Sequence, residues 1–142
     1  MRKLICAVAI SFLMILASQS SAGTISPDLQ SVLNSALPSQ KIDVIVILKD
    51  RVKLDTFRDS NISVRRSKII TALKDNAART QTPVLAFLIA RNAGAVNSLW
   101  IINGISATVR AAVIPQLARR PDVSEVRLNF VIPLAEPPPA GA

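Results

Sequence analysis

The sequence predicts an α+β fold in the order strand, helix, strand, strand, helix, strand: a split β-α-β-β-α-β unit, with a four-stranded antiparallel sheet and two helices on one face. Three stretches carry that prediction. Residues 41–50, KIDVIVILKD, hold an unbroken apolar run of Val44, Ile45, Val46, Ile47 and Leu48, the pattern of a central strand. Residues 65–92 repeat apolar side chains at helical spacing, with Ile69, Leu73, Ala77, Val84 and Leu88 on one stripe. Residues 99–109, LWIINGISATV, place Asn103-Gly104 between two apolar runs, so they can supply two strands in succession.

The first 22 residues stand apart from this unit. Arg2 and Lys3 form a basic start, Leu4 to Ala17 is an apolar run, and Ser20-Ser21-Ala22 offers small residues for cleavage. This is the layout of a secretory signal peptide, and the run is short for a membrane span. Cleavage after Ala22 is expected, giving a secreted or periplasmic protein with no stable membrane insertion. The single cysteine, Cys6, lies inside that segment, so residues 23–142 have no disulfide or thiol chemistry. Export without disulfides points to a bacterial protein that relies on its core.

Residues 23–40, GTISPDLQSVLNSALPSQ, form a leader with a short amphipathic helix. Pro27-Asp28 marks its start and Pro38 its end. After the first strand, RVKLDTFRDSNIS reads as a polar connection. The long helix from Arg65 to about Asn92 contains Pro83, which removes a backbone donor; because the stripe continues past it, one kinked helix is expected. Asn92-Ala93-Gly94 stops that helix. RAAVIPQLARRP, residues 110–121, is the second helix, with Pro115 in its first turn. The last strand runs from Val123 to about Ile132, where Val126, Leu128 and Phe130 alternate with Glu125, Arg127 and Asn129, separating a core face from an outer face. Trp100 is expected to pack at the sheet, and Arg65-Arg66 and Arg119-Arg120 to be solvated helix-end charges. The arrangement is ferredoxin-like, and it leaves the sheet face opposite the helices bare.

Composition narrows the chemistry. Histidine is absent, so neither the usual zinc sites nor Ser-His or Cys-His nucleophile pairs can be assembled. The nine acidic residues are scattered and form no calcium loop. The chain reads as a non-enzyme with no cofactor and no metal. Its net charge is +8, falling by two to about +6 without Arg2 and Lys3, which suits nucleic acid, anionic lipid or an acidic protein surface. RNA modules of this topology stack bases on aromatic residues of the middle strands. Here the first strand and GISATV hold no aromatic, and Arg79, Arg91, Arg119 and Arg120 fall on helices. A protein partner is therefore expected, and no nucleic acid.

IDVIVILKD, RRSKIITALKDNAARTQTPVLAFLIA and LWIINGISATVRAAVIPQLARRPDVSEVRLNFVIPL together resemble the propeptide of subtilisin-like serine proteases. The resemblance covers residues 41–134 and is most specific from Leu99 to Val131. It implies a domain that lays its bare sheet face on two surface helices of the protease. Such a domain acts as a folding chaperone and then holds its C-terminal segment in the active-site cleft as a product-like inhibitor. The outer-face residues Ser106, Thr108, Glu125, Arg127 and Asn129 would meet the protease surface. Family members often carry acids on the last strand that cap helix N-termini of the protease; Glu125 keeps that character, whereas Arg127 and Asn129 depart from it.

The family's processing site aligns near Leu134-Ala135, which would put Ile132, Pro133, Leu134 and Ala135 in substrate-side pockets. Backbone hydrogen bonds of an extended tail suit a substrate-binding edge, and Pro137-Pro138-Pro139 restrict the backbone beyond it. The expected layout is a signal peptide at 1–22, a leader at 23–40, a propeptide-like inhibitor domain at 41–134 and a proline-rich tail at 135–142. Because these residues hold no Asp/His/Ser set, the resemblance implies a free-standing inhibitor or chaperone acting in trans. The alternatives are a propeptide fragment of a longer protease precursor and a periplasmic protein-binding module unrelated to proteolysis.

Overall fold

A computed structural model describes residues 22–130. Residues 1–21 of the expected signal peptide 1–22 and the tail residues Ile132, Pro133, Leu134 and Ala135 lie outside the described residues. The fold is α+β, with a five-stranded mixed sheet in the order β1-β5-β2-β4-β3. In chain order the elements are β1 (Thr24–Ile25), α1 (Pro27–Ser35), β2 (Lys41–Leu48), α2 (Ile62–Ala90), β3 (Gly94–Leu99), β4 (Gly104–Arg110), α3 (Ile114–Ala118) and β5 (Val123–Leu128). Short 3₁₀ turns at Leu54–Thr56 and Ala111–Val113 join them.

The unbroken apolar run of β2 suits its central position. Ile42, Val44, Val46 and Leu48 are buried on the helix side, with β4 on one flank and β5 on the other, both antiparallel. Ile105, Ala107 and Val109 of β4 and Val123 and Val126 of β5 extend that apolar layer. Leu29 of α1, Val84 and Leu88 of α2, and Ile114 and Leu117 of α3 close over it in one core cluster. All three α-helices of the described residues therefore bury apolar side chains against the same side of the sheet.

The sheet has one more strand than the sequence predicts. The leader pairs parallel to β5, with Thr24 opposite Glu125 and Ile25 opposite Val126, and Ser26 N–H donates to the Val126 carbonyl at 2.9 Å. Gly23 sits so close to β5 that a Cβ there would meet the Val123 carbonyl oxygen at 2.7 Å. Absence of a side chain is what admits the leader to the sheet edge. Pro27 then begins α1, which delivers the fully buried Leu29 to the core.

Helix α2 starts three residues earlier than its apolar stripe suggests, because Asn61 caps it. The Asn61 Oδ1 accepts from the N–H groups of Ser63 and Val64 at 3.0 and 3.3 Å, satisfying two donors that a helix start leaves open. The helix runs without a break through Pro83. Arg79 and Pro83, four residues apart, are both exposed, so the carbonyl that loses its donor faces water. At 29 residues the helix is about 43 Å long, far longer than the strands it covers. Its first half overhangs the sheet, leaving Ile62, Val64 and Ile70 exposed and Ile69 and Leu73 half-buried. Asn92, in the left-handed region at φ 54°, ends the helix, and Ala93 N–H returns to the Leu88 carbonyl at 3.0 Å.

Two shorter elements also differ from expectation. The second helix is a 3₁₀ turn followed by only five α-helical residues, with Pro115 in the first turn. Strand β5 ends at Leu128, so Phe130 does not reach the core and is 62% exposed. Trp100 is half-buried with the Lys74 ammonium 5.4 Å from its ring centroid. Arg120 is not a freely solvated charge: it grips Asp122 with Nε at 2.9 Å and lies 5.2 Å from the Phe87 ring centroid. No described helix is long and apolar enough to cross a membrane.

Candidate functional site

The face of the sheet turned away from the helices brings together all five outer-face residues named from the sequence. Strand register fixes their neighbours. Ile45 lies between Ser106 on β4 and Arg127 on β5, Thr108 stands opposite Asp43, and Glu125 stands opposite Ile47. Asn129, one residue past β5, is tied to the same end by its N–H, which donates to the Asp43 carbonyl at 2.9 Å. On this face β4 presents Gly104, Ser106 and Thr108 ahead of Arg110 at its end, so the strip from 104 to 108 is low and flat.

Charges on the face are arranged locally. The Arg127 guanidinium meets the Glu125 carboxylate at 2.9 Å, and the carboxylate beside it raises the Arg127 pKa above its ordinary value. Asp43 accepts a hydrogen bond from the Thr108 hydroxyl. Glu125, the acid to which the family resemblance would give a helix N-terminus on a partner, is thus already engaged by its own strand neighbour. With Lys41 and Arg110 at one end and Arg51 at the other, basic groups outnumber acids across this side.

A cleft opens at each end of the face. One, of about 480 Å³, lies between Pro27, Asp28, Ile45, Glu125, Arg127 and Phe130. The other, of about 430 Å³, is walled by Arg51, Leu54, Leu73, Ile101, Ile102 and Arg127. Arg127 borders both clefts and stands beside Ile45, whose other neighbour is Ser106 of the flat strip. Ile101 and Ile102 are 65% and 47% exposed. In the sequence they read as strand interior; in the structure they form the turn between β3 and β4. Their exposure was not legible because the turn is four residues long, Trp100 to Asn103, rather than the two residues an Asn-Gly pair suggests.

Asn103 shapes that turn. It holds φ 47° and is 4% exposed. Its side-chain Nδ2 donates to the Asp50 carbonyl at 2.7 Å and to Thr80 Oγ1 at 2.9 Å, and its Oδ1 accepts from Gln81 Nε2 at 3.2 Å. The Thr80 hydroxyl hydrogen is free to go to the Asn76 carbonyl at 2.8 Å, and Gln81 Oε1 accepts from Ser98 Oγ at 2.6 Å. The Asn103 carbonyl accepts from Leu48 N–H at 3.0 Å. One side chain therefore ties β2's exit, α2 and the β3–β4 turn together. Gly104 comes next in the chain because a Cβ there would stand 3.0 Å from the Val46 carbonyl oxygen.

No group of three or more Cys, Asp or Glu side chains converges among the described residues. What this surface presents is a flat polar strip at Ser106 and Thr108, the Glu125–Arg127 ion pair and the exposed side chains of Ile101 and Ile102. Comparison with protein-family models, with curated proteins and with solved structures returns no match to this chain.

Proposed function

We propose that this protein is an exported, non-catalytic inhibitor or folding chaperone of a subtilisin-like serine protease. In this reading the four longer strands, in the all-antiparallel order β5-β2-β4-β3, constitute a ferredoxin-like unit to which β1 and α1 are additions. The open face lies on the protease surface, and residues 132–135 enter its substrate cleft.

The observation that carries the proposal is the sharing of one uncovered face by Ser106, Thr108, Glu125, Arg127 and Asn129 around Ile45. Small side chains along β4 let partner helices approach closely. The cleft bordered by Phe130 lies where the chain passes from β5 toward residues 131–142, so face and tail can engage one partner together. The Glu125–Arg127 pair favours a partner with acidic groups opposite Arg127 over one that offers only helix N-termini.

Titration of purified residues 23–142 against a subtilisin-like protease tests this. Inhibition with a Kd of about 1 μM or tighter, weakened strongly by deleting residues 132–142, is the expected result. Undiminished inhibition by the truncated protein would assign the effect to the sheet face alone. No inhibition would remove the protease and leave a binding module for another protein.

A further inference from the structure

We infer that Asn103-Gly104 is a self-modification site held in check by the fold: the Asn103 side chain deamidates only when the β3–β4 turn opens, and the product cannot restore the native turn. This inference does not depend on the identity of the partner.

The chain contains one Asn-Gly pair. With no side chain on Gly104, its backbone nitrogen is the least hindered nucleophile that any asparagine here can meet. In the reaction the Gly104 nitrogen loses its proton to water and bonds to the Asn103 side-chain carbonyl carbon. The bond from that carbon to Nδ2 breaks, and Nδ2 takes a proton back from water and leaves as ammonia. Water then opens the five-membered imide at one of its two carbonyls, giving aspartate or isoaspartate. No electrons are exchanged, and water is the only co-reactant.

The closed turn opposes each part of this sequence. Asn103 is 4% exposed, so water reaches it poorly. Both ends of its carboxamide are held, Nδ2 by the Asp50 carbonyl and Thr80 Oγ1, and Oδ1 by Gln81 Nε2. Those bonds fix the group away from the free rotation that attack by the next residue requires. The backbone on both sides is also fixed, since Leu48 N–H donates to the Asn103 carbonyl and Gly104 begins β4.

The same contacts make the product incompatible with return. Aspartate at 103 would set a carboxylate oxygen against the Asp50 carbonyl in place of a donor, and would bury a charge. Isoaspartate would add a backbone carbon just where Asn103 holds φ 47° and β4 enters register with Ile47. Opening of this turn is thus converted, by a slow reaction with water, into permanent loss of it.

The full chain is incubated at one mildly alkaline pH and one temperature, native and in denaturant, with deamidation mapped by peptide mass spectrometry. Deamidation at Asn103 at least about tenfold slower in the native protein, as expected for a buried turn that opens rarely, supports the inference. Equal native and denatured rates overturn it, as does another asparagine reacting first in denaturant. Thr80→Val removes one acceptor for Nδ2 while leaving the Asn-Gly pair intact; it should speed the native reaction several-fold and leave the denatured rate unchanged. An unchanged native rate in Thr80→Val would show that the side-chain network does not guard the site.

Discussion

Asn103 is where the largest consequence hangs on a single side chain. Its carboxamide satisfies a carbonyl at the exit of β2, a hydroxyl and an amide on α2, and its backbone takes a left-handed conformation that asparagine tolerates better than most residues. Asn103→Ala leaves the fully buried Gln81 amide short of an acceptor and is expected to cost about 2–4 kcal/mol of unfolding free energy in urea titration. Asn103→Gly relieves the backbone but not the lost bonds, and should fall between wild type and alanine. The Asn-Gly pair advertises a turn in the sequence. The network does not, because its members come from positions 50, 80, 81, 98 and 103 and meet only after folding.

At the scale of elements, α2 carries two features with separable effects. Pro83 lies inside the helix on its exposed side, so Pro83→Ala restores a backbone donor without disturbing the core. A gain of about 1 kcal/mol or more in stability is expected. At the other end, Asn61 caps the helix while Asp59 accepts from the Asn61 N–H and from Lys68 at 3.0 Å each. Asn61→Ala should cost about 1 kcal/mol, seen as fraying of the first turn in amide exchange.

The Lys68 ammonium, then the Asn61 N–H, lower the Asp59 pKa below its ordinary value of 3.8. A carboxyl whose folded pKa is depressed stabilises fully above its unfolded pKa and ceases to do so as pH falls through the folded one. The start of α2 should therefore exchange faster below about pH 4, and Asp59→Asn should abolish that acid step. Acid-sensitive fraying that persists in Asp59→Asn would place its cause elsewhere.

The whole molecule shows which part of the fold was legible. The unbroken apolar run from Val44 to Leu48 and the alternation of Ile105, Ala107 and Val109 declare two core strands, and the stripe of α2 declares its buried side. The outer-face residues come from the same alternation, which is why Ser106, Thr108, Glu125, Arg127 and Asn129 do lie together. Strand β1 was not legible, since two residues have no period and their partner is 101 positions away at Glu125. Alternation also misleads where a strand stops: nothing local distinguishes Phe130 from Leu128, yet pairing ends between them. The leader belongs to the core through Leu29, which has no exposed area, so Leu29→Ala should cost about 2–4 kcal/mol.

The most direct measurement is a competition between two versions of the protein that share one fold. Ser106→Arg places a long charged side chain in the flat strip beside Ile45 without entering the core. Wild-type residues 23–142 should inhibit a subtilisin-like protease, and Ser106→Arg, with an unchanged circular dichroism spectrum, should lose at least about tenfold in affinity, or 1.4 kcal/mol. Equal inhibition by the two proteins would contradict a role for the open sheet face.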